Sequence, residues 1–177
     1  MFKTLIIYST TDGQTRKICE RIVSASNNKD LLKITPIEET EKENLSIFDS
    51  IIIGASIRYG KHNKNVYRFI KENKNILENK STAFFTVNVV ARKSDKNHPD
   101  TNPYMKKFLK ETNWRPDKLG VFAGKIDYPK YKFFDKQIIR FIMYITKGPT
   151  DISKVYEFTK WDQIDEFAKD LYQSKMI

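Results

Sequence analysis

The sequence holds one cysteine and two histidines in 177 residues. Cys19 alone cannot close an internal disulfide, and it makes neither a metal site nor a redox pair; it reads as a small apolar residue buried on the first helix. His62 and His98 stand too far apart in sequence to suggest a metal centre, so no metal is expected. Both read as surface residues, with His62 near enough to the Tyr59 segment to meet a substrate. No stretch approaches the roughly 18 uninterrupted apolar residues of a membrane span. The most apolar one, Ile138 to Ile145, is short and broken by Arg140. Such a chain can lie on a membrane but not cross it. The opening Met1-Phe2-Lys3-Thr4 runs straight into Leu5-Ile6-Ile7-Tyr8 without the ordered regions of a secretory leader, so a cytoplasmic location is expected. A Walker phosphate loop with its lysine is missing, as is the GxGxxG of dinucleotide folds. No nucleic-acid-binding motif is recognisable either, and no nucleic-acid partner is expected.

Hydrophobic residues make up 40% of the chain, enough for one compact domain over residues 1–177. The 32 Lys and Arg against 22 Asp and Glu leave a net charge of +10. That balance points to an anionic partner, a membrane surface or a polyanionic substrate among the candidates.

Short apolar runs alternate with amphipathic stretches, the pattern of βα units feeding a parallel sheet. Strands are predicted over 2–8, 32–37, 50–54, 82–88 and 119–124. Helices are predicted over 15–27, 65–77, 103–112 and 161–172, the third opened by Pro103 and the last capped by Thr159. The expected architecture is a doubly wound five-stranded parallel sheet. Residues 125–158 are too long for an ordinary strand-to-helix connection and read as an insertion with its own task.

Ligands of open parallel sheets bind beyond the carboxyl ends of the strands. After the first strand comes Ser9-Thr10-Thr11-Asp12-Gly13-Gln14-Thr15, a hydroxyl-rich turn entering a helix. Helix-start N–H groups and short hydroxyls suit a phosphate, and with both dinucleotide and Walker patterns missing, a mononucleotide phosphate remains. The plainer alternative is that these hydroxyls only cap the helix.

The turn YSTTDGQT resembles the phosphate loop of flavodoxins, in which Ser or Thr, any residue, Thr, Gly, any residue and Thr follow one another. Thr10, Gly13 and Thr15 fall on matching positions, whereas Asp12 stands where a flavodoxin has its middle Thr. A carboxylate there repels a phosphate unless it turns away to cap the helix. Five further segments, GASIRYG (54–60), TVNVVARK (86–93), TNPYMKKFL (101–109), NWRPD (113–117) and FAGKIDYPKYKFFDK (122–136), resemble the bacterial quinone-dependent protoporphyrinogen oxidases, a flavodoxin-like family of haem biosynthesis. The resemblance covers nearly the whole chain. It implies FMN as cofactor, protoporphyrinogen IX as substrate, and menaquinone or ubiquinone as electron acceptor, at the cytoplasmic face of the inner membrane.

By analogy with flavodoxins, Ser56, Ile57, Arg58, Tyr59 and Gly60 on one loop and Asn88, Val89, Val90, Ala91 and Arg92 on another flank the flavin ring. Tyr59 stacks on it, and backbone groups around Ser56, Asn88 and Ala91 bond its edge. The chemistry resides on the flavin, so no protein residue is assigned as obligatory acid or base. Arg58 and Arg92 are the candidate clamps for a substrate carboxylate, with solvated loop charges as the plainer alternative.

Flavodoxins that carry electrons are usually acidic, and a charge of +10 argues against that role. The insertion interleaves Lys125, Lys130, Lys132 and Lys136 with Tyr128, Tyr131, Phe133 and Phe134. A helix over 134–147 puts Phe134, Ile138, Phe141, Ile142 and Ile145 on one stripe, with Lys136, Arg140 and Lys147 on another. Contact of residues 125–147 with an anionic membrane is expected, against the alternative that the stripe packs on the domain. Three other functions stay open: a flavodoxin-like NAD(P)H:quinone reductase, an FMN electron carrier, and a domain without flavin that acts as a basic docking module.

Overall fold

A computed structural model of the chain describes residues 2–177. Its main sheet holds β1 (Thr4–Ser9), β2 (Leu32–Pro36), β3 (Ser50–Arg58), β5 (Ser81–Asn88) and β6 (Lys118–Ala123), all parallel and ordered β2-β1-β3-β5-β6, with the short β4 (Lys61–His62) antiparallel on β3. The chain steps outward from β1 to β2 and then back past β1 to β3. Strand order therefore reverses beside β1, and a crevice opens there at the carboxyl ends.

The strands are apolar on both faces, which is why they read as continuous hydrophobic runs. Leu5, Ile7, Ile51, Ile53, Phe84 and Val121 pack with α2 (Lys64–Glu72) and α4 (Pro103–Thr112) on one side. Ile6, Ile52, Phe85 and Phe122 pack with Ile18 and Ile22 of α1 (Gln14–Ser24) and with Ile164 and Leu171 of α6 (Trp161–Gln173) on the other. Cys19 sits in that second core, as expected, and burial pushes its thiol pKa up.

Some predicted bounds shift. The predicted helix over 65–77 breaks at Asn73, whose side chain donates to the Phe69 carbonyl, and resumes as α3 (Lys74–Leu77). β3 runs four residues beyond its predicted end, because β4 folds back and pairs Ile57 with His62 and Arg58 with Lys61. Ser56, Ile57 and Arg58 thus stand on a strand end, not in a loop.

The insertion is built from β7 (Lys125–Asp127), α5 (Phe133–Ile145) and β8 (Val155–Glu157). β7 and β8 form a two-stranded antiparallel ribbon that the sequence reading does not contain. Ile126, Tyr128, Tyr131 and Met143 make its own small core, against which Val89, Ile139, Tyr156 and Phe158 pack.

Candidate flavin site and the insertion that roofs it

The turn after β1 is shaped for an anion. Gly13 takes φ +81° just before α1, a conformation that L side chains rarely adopt, and its N–H donates to the Thr10 hydroxyl at 3.0 Å. The N–H groups of Gln14, Thr15 and Arg16 lie in the first turn, where no intrahelical carbonyl reaches them. Thr15 Oγ1 is fully buried and has no hydrogen-bond partner. A buried hydroxyl without a partner costs about 1–3 kcal/mol, and a phosphate oxygen at this helix start would relieve it. The residues therefore fit the phosphate of a mononucleotide.

Asp12 does not cap α1, which has no side-chain cap. Its carboxylate instead accepts the Tyr131 hydroxyl at 3.0 Å and Arg58 Nη1 at 3.3 Å, which turns the charge toward the insertion. Thr159 is likewise no cap for α6, whose N-cap is Lys160. Its hydroxyl donates to the Ala123 carbonyl at 2.9 Å and accepts from Gln14 Nε2 at 2.9 Å. Gln14 also donates to Glu157 Oε1 at 3.0 Å, so its side chain ties the turn to β8.

At the end of β3, Tyr59 and Gly60 take φ +49° and +77°, as both centres of a two-residue type I′ hairpin turn must. A non-glycine residue held there stores about 1–3 kcal/mol. The half-exposed Tyr59 ring stands at the mouth of the crevice, its hydroxyl bonded to Asp135 of α5. Arg58 lies between the two loops and the insertion. It pairs with Asp12 at 3.3 Å and Asp135 at 3.4 Å, and its guanidinium sits 4.7 Å from the Tyr131 ring centre and 5.1 Å from that of Tyr59. Burial pushes the Tyr131 phenol up to about 12.

After β5, Asn88 Oδ1 accepts the Ala91 N–H at 3.0 Å, so that donor is spent inside the turn while Ala91 itself packs in the core. Asn102 Nδ2 donates to the same oxygen at 3.3 Å, and Asn88 Nδ2 reaches Thr86 Oγ1 at 3.5 Å. Behind them lies His62, which is buried among Tyr67, Phe84 and Phe108 rather than on the surface. Its Nε2 meets Thr86 Oγ1 at 2.9 Å, and burial pulls its pKa down to about 4. The β4 hairpin turns His62 inward, something no local sequence signal announces. Arg92 also departs from its expected role. Its guanidinium donates to the Val89 carbonyl at 3.0 Å and to the carbonyl and hydroxyl of Thr146 at 2.8 and 3.0 Å, fastening the end of α5.

One cavity joins these segments. Of the residues predicted from sequence it brings together Thr10, Thr11, Asp12, Gln14, Ser56, Ile57, Arg58, Tyr59, Gly60, Asn88, Val89 and Val90. Ser9, Gly13, Thr15, Ala91 and Arg92 are not on its wall. Sequence reasoning missed Val87, Tyr104 and Gly124, and it did not assign Lys125, Ile126, Tyr131, Ile139, Ile142 and Met143 of the insertion to the same wall. The interleaved aromatic and basic residues of 125–136 were the available signal, but nothing local said which of them face the crevice.

The Flavodoxin domain model matches residues 5–153. A protoporphyrinogen IX dehydrogenase (quinone) of Escherichia coli K12 is 40% identical over 173 residues, covering 96% of this chain and 94% of that protein. A Leishmania major protein of the same name is 40% identical over 170 residues, covering 95% and 74% respectively. Among solved structures, oxidised flavodoxin 2 of Bacillus cereus superposes with a TM-score of 0.56 at 18% identity, covering 97% of this chain and 99% of that one. The flavodoxin of Fusobacterium nucleatum bound to flavin mononucleotide superposes with 0.54 at 12% identity, covering 98% and 99%. The structural likenesses establish the fold, and the identity to full-length relatives establishes more: the chain belongs to the protoporphyrinogen IX dehydrogenase family of flavodoxin-domain proteins.

Proposed function

We propose that this protein oxidises protoporphyrinogen IX to protoporphyrin IX with bound FMN as cofactor and menaquinone or ubiquinone as electron acceptor. The observation that carries the reading is the roof of the crevice. In addition to the two loops that would flank a flavin, Ile126, Tyr131, Ile139, Ile142 and Met143 of the insertion form an apolar wall over it. A one-electron shuttle needs an exposed flavin edge, whereas a large apolar macrocycle needs such a wall. The name of the 40%-identical relatives supplies the substrate and acceptor.

FMN supplies the two-electron chemistry when bound. The chain supplies the rest. The helix-start N–H groups and the Thr15 hydroxyl hold the phosphate. Ser56 to Gly60 and Asn88 to Val90 border the ring, and the insertion wall excludes water and orients the macrocycle.

The same reading includes a place for the enzyme. No helix among the described residues is long and apolar enough to cross a membrane. On α5, Met143 faces inward, while Phe133, Phe134, Phe141 and Tyr144 are 62–78% exposed beside Lys132, Lys136, Arg140 and Lys147. Of the stripe read from sequence, Phe134, Ile138, Phe141 and Ile145 therefore point outward, and only Ile142 also reaches the cavity wall. Large apolar groups among cations suit the interface of an anionic bilayer, here the cytoplasmic face of the inner membrane, where both the greasy substrate and the quinone concentrate.

The direct test is anaerobic. Addition of protoporphyrinogen IX to FMN-loaded protein bleaches the flavin absorbance, and a menaquinone analogue restores it. A flavin that stays oxidised in the presence of porphyrinogen defeats the reading.

A further inference from the structure

The oxidation product and its precursor each carry two propionates, so a site built for them needs a cation free to meet a carboxylate. Two cations stand on the cavity wall, Arg58 and Lys125. Their surroundings carry opposite charge. Arg58 faces two carboxylates, Asp12 and Asp135, so the group as a whole is −1 and an added carboxylate is repelled. Lys125 Nζ lies 3.3 Å from Asp127 Oδ2, and Lys130 Nζ lies 3.5 Å from the same oxygen, so that group is +1.

The burial of the three partners adds a second argument. Asp127 is 7% exposed and would suffer if left alone. The exposed Lys130 keeps it neutralised when Lys125 turns to another anion. Glu157, the cross-strand neighbour of Lys125, keeps its charge, since its partners Gln14 Nε2 and Trp161 Nε1 are neutral, but among the described residues it forms no ion pair with Lys125. Arg92, the other cation expected at the site, is spent on Thr146 and Val89. Lys125 lies two residues past the end of β6, at the carboxyl rim of the sheet, and lines the cavity.

We infer that Lys125 is the carboxylate-recognising residue of the cavity, and that Arg58 is a structural tie between the flavin loops and the insertion. The inference rests on the porphyrinogen reading above. Lys125 then decides preference for a dicarboxylic macrocycle over an esterified one, with Lys130 holding Asp127 in its place.

The test compares FMN-loaded wild type, Lys125→Met and Lys125→Arg in two measurements: kcat/KM with protoporphyrinogen IX and with its dimethyl ester, and binding of protoporphyrin IX and its dimethyl ester followed by flavin fluorescence. Loss of one charge-assisted contact predicts a fall of about tenfold in diacid kcat/KM and affinity for Lys125→Met, carried by KM. The diacid-to-ester ratio therefore falls about tenfold in Lys125→Met, and Lys125→Arg recovers most of it. An unaltered diacid-to-ester ratio in Lys125→Met overturns the inference, whether both substrates hold or both fall together. Because the binding measurement needs no turnover, a wild type that binds diacid over ester yet oxidises neither sinks the oxidase reading while the carboxylate assignment stands on its own.

Discussion

The carboxylate of Asp12 accepts the hydroxyl of Tyr131 at 3.0 Å, across 119 residues of chain. That bond joins the turn after the first strand to the insertion after the last one. Arg58 joins the same carboxylate from the β3 side, and Tyr131 in turn accepts the Asp127 N–H at 3.2 Å. The acidic residue of the turn after β1 thereby holds the roof of the cavity, its carboxylate bonded to Tyr131 and Arg58.

If this tie holds the roof, Tyr131→Phe loosens it. Asp12 keeps Arg58 as a partner, but the buried Asp127 N–H loses its acceptor, so the expected cost is about 1–3 kcal/mol of stability. Amides of α5 should lose hydrogen-exchange protection before those of β1, β3 and β5. Equal protection throughout would mean that the insertion core alone holds α5 down.

Thr15→Val separates cofactor binding from folding. The hydroxyl has no partner within the protein, so the apoprotein should be as stable as wild type or more so. FMN affinity should fall by about tenfold, as for loss of one hydrogen bond to a charged group. Isothermal titration with FMN and thermal melting of apoprotein give the two halves, and an unchanged FMN affinity would move the phosphate elsewhere.

Acid stability should depend on His62. Its folded pKa is about 4 against 6.5 for the free side chain. The unfolded chain therefore takes up this proton first as pH falls, and the contribution is present above about 6.5 and lost toward 4. Between neutral pH and pH 4.5 this one group removes about 2 kcal/mol. In urea melts at both pH values, His62→Leu should flatten that difference whatever its effect at neutrality; an unchanged pH dependence would exclude His62 as its source.

Gly54→Ala should be costly although the change is one methyl. Gly54 pairs in register with Phe85, and an added Cβ would sit 2.2 Å from the Phe85 ring. Overpacking a central strand against a buried ring costs about 1–3 kcal/mol. A lowered urea midpoint checks it, and Gly54→Ala combined with Phe85→Leu should recover part of the loss.

Vesicle flotation tests the outer face of α5. The Phe134→Ser, Phe141→Ser double variant removes two rings that are 78% and 62% exposed. Binding to vesicles containing anionic lipid should drop at least tenfold, since each buried Phe contributes about 1.5–3 kcal/mol, and added salt should weaken the wild type. Turnover with a water-soluble quinone should persist. Wild type that fails to float with anionic vesicles would remove the membrane from the reading.

What the sequence determined by itself is the part of the protein whose signals are local. Buried parallel strands must be apolar on both faces, so the runs around Ile6, Ile52 and Phe84 announce themselves, and the hydroxyl-rich turn before the first helix stands out by its composition. Five further motifs in order carried the family. The tertiary structure decided which way side chains turn where distant segments meet. Asp12 reads locally as a cap or a repulsive charge, because its actual partners lie 46 and 119 residues away. His62 reads as a surface residue until a two-residue strand folds it against Phe84 and Phe108. Arg58, Arg92 and Lys125 are equal as cations in a sequence. The carboxylates that tertiary packing sets beside Arg58, and the carbonyls that hold Arg92 off the cavity wall, single out Lys125, because the range of a Coulomb interaction is set in space and not along the chain.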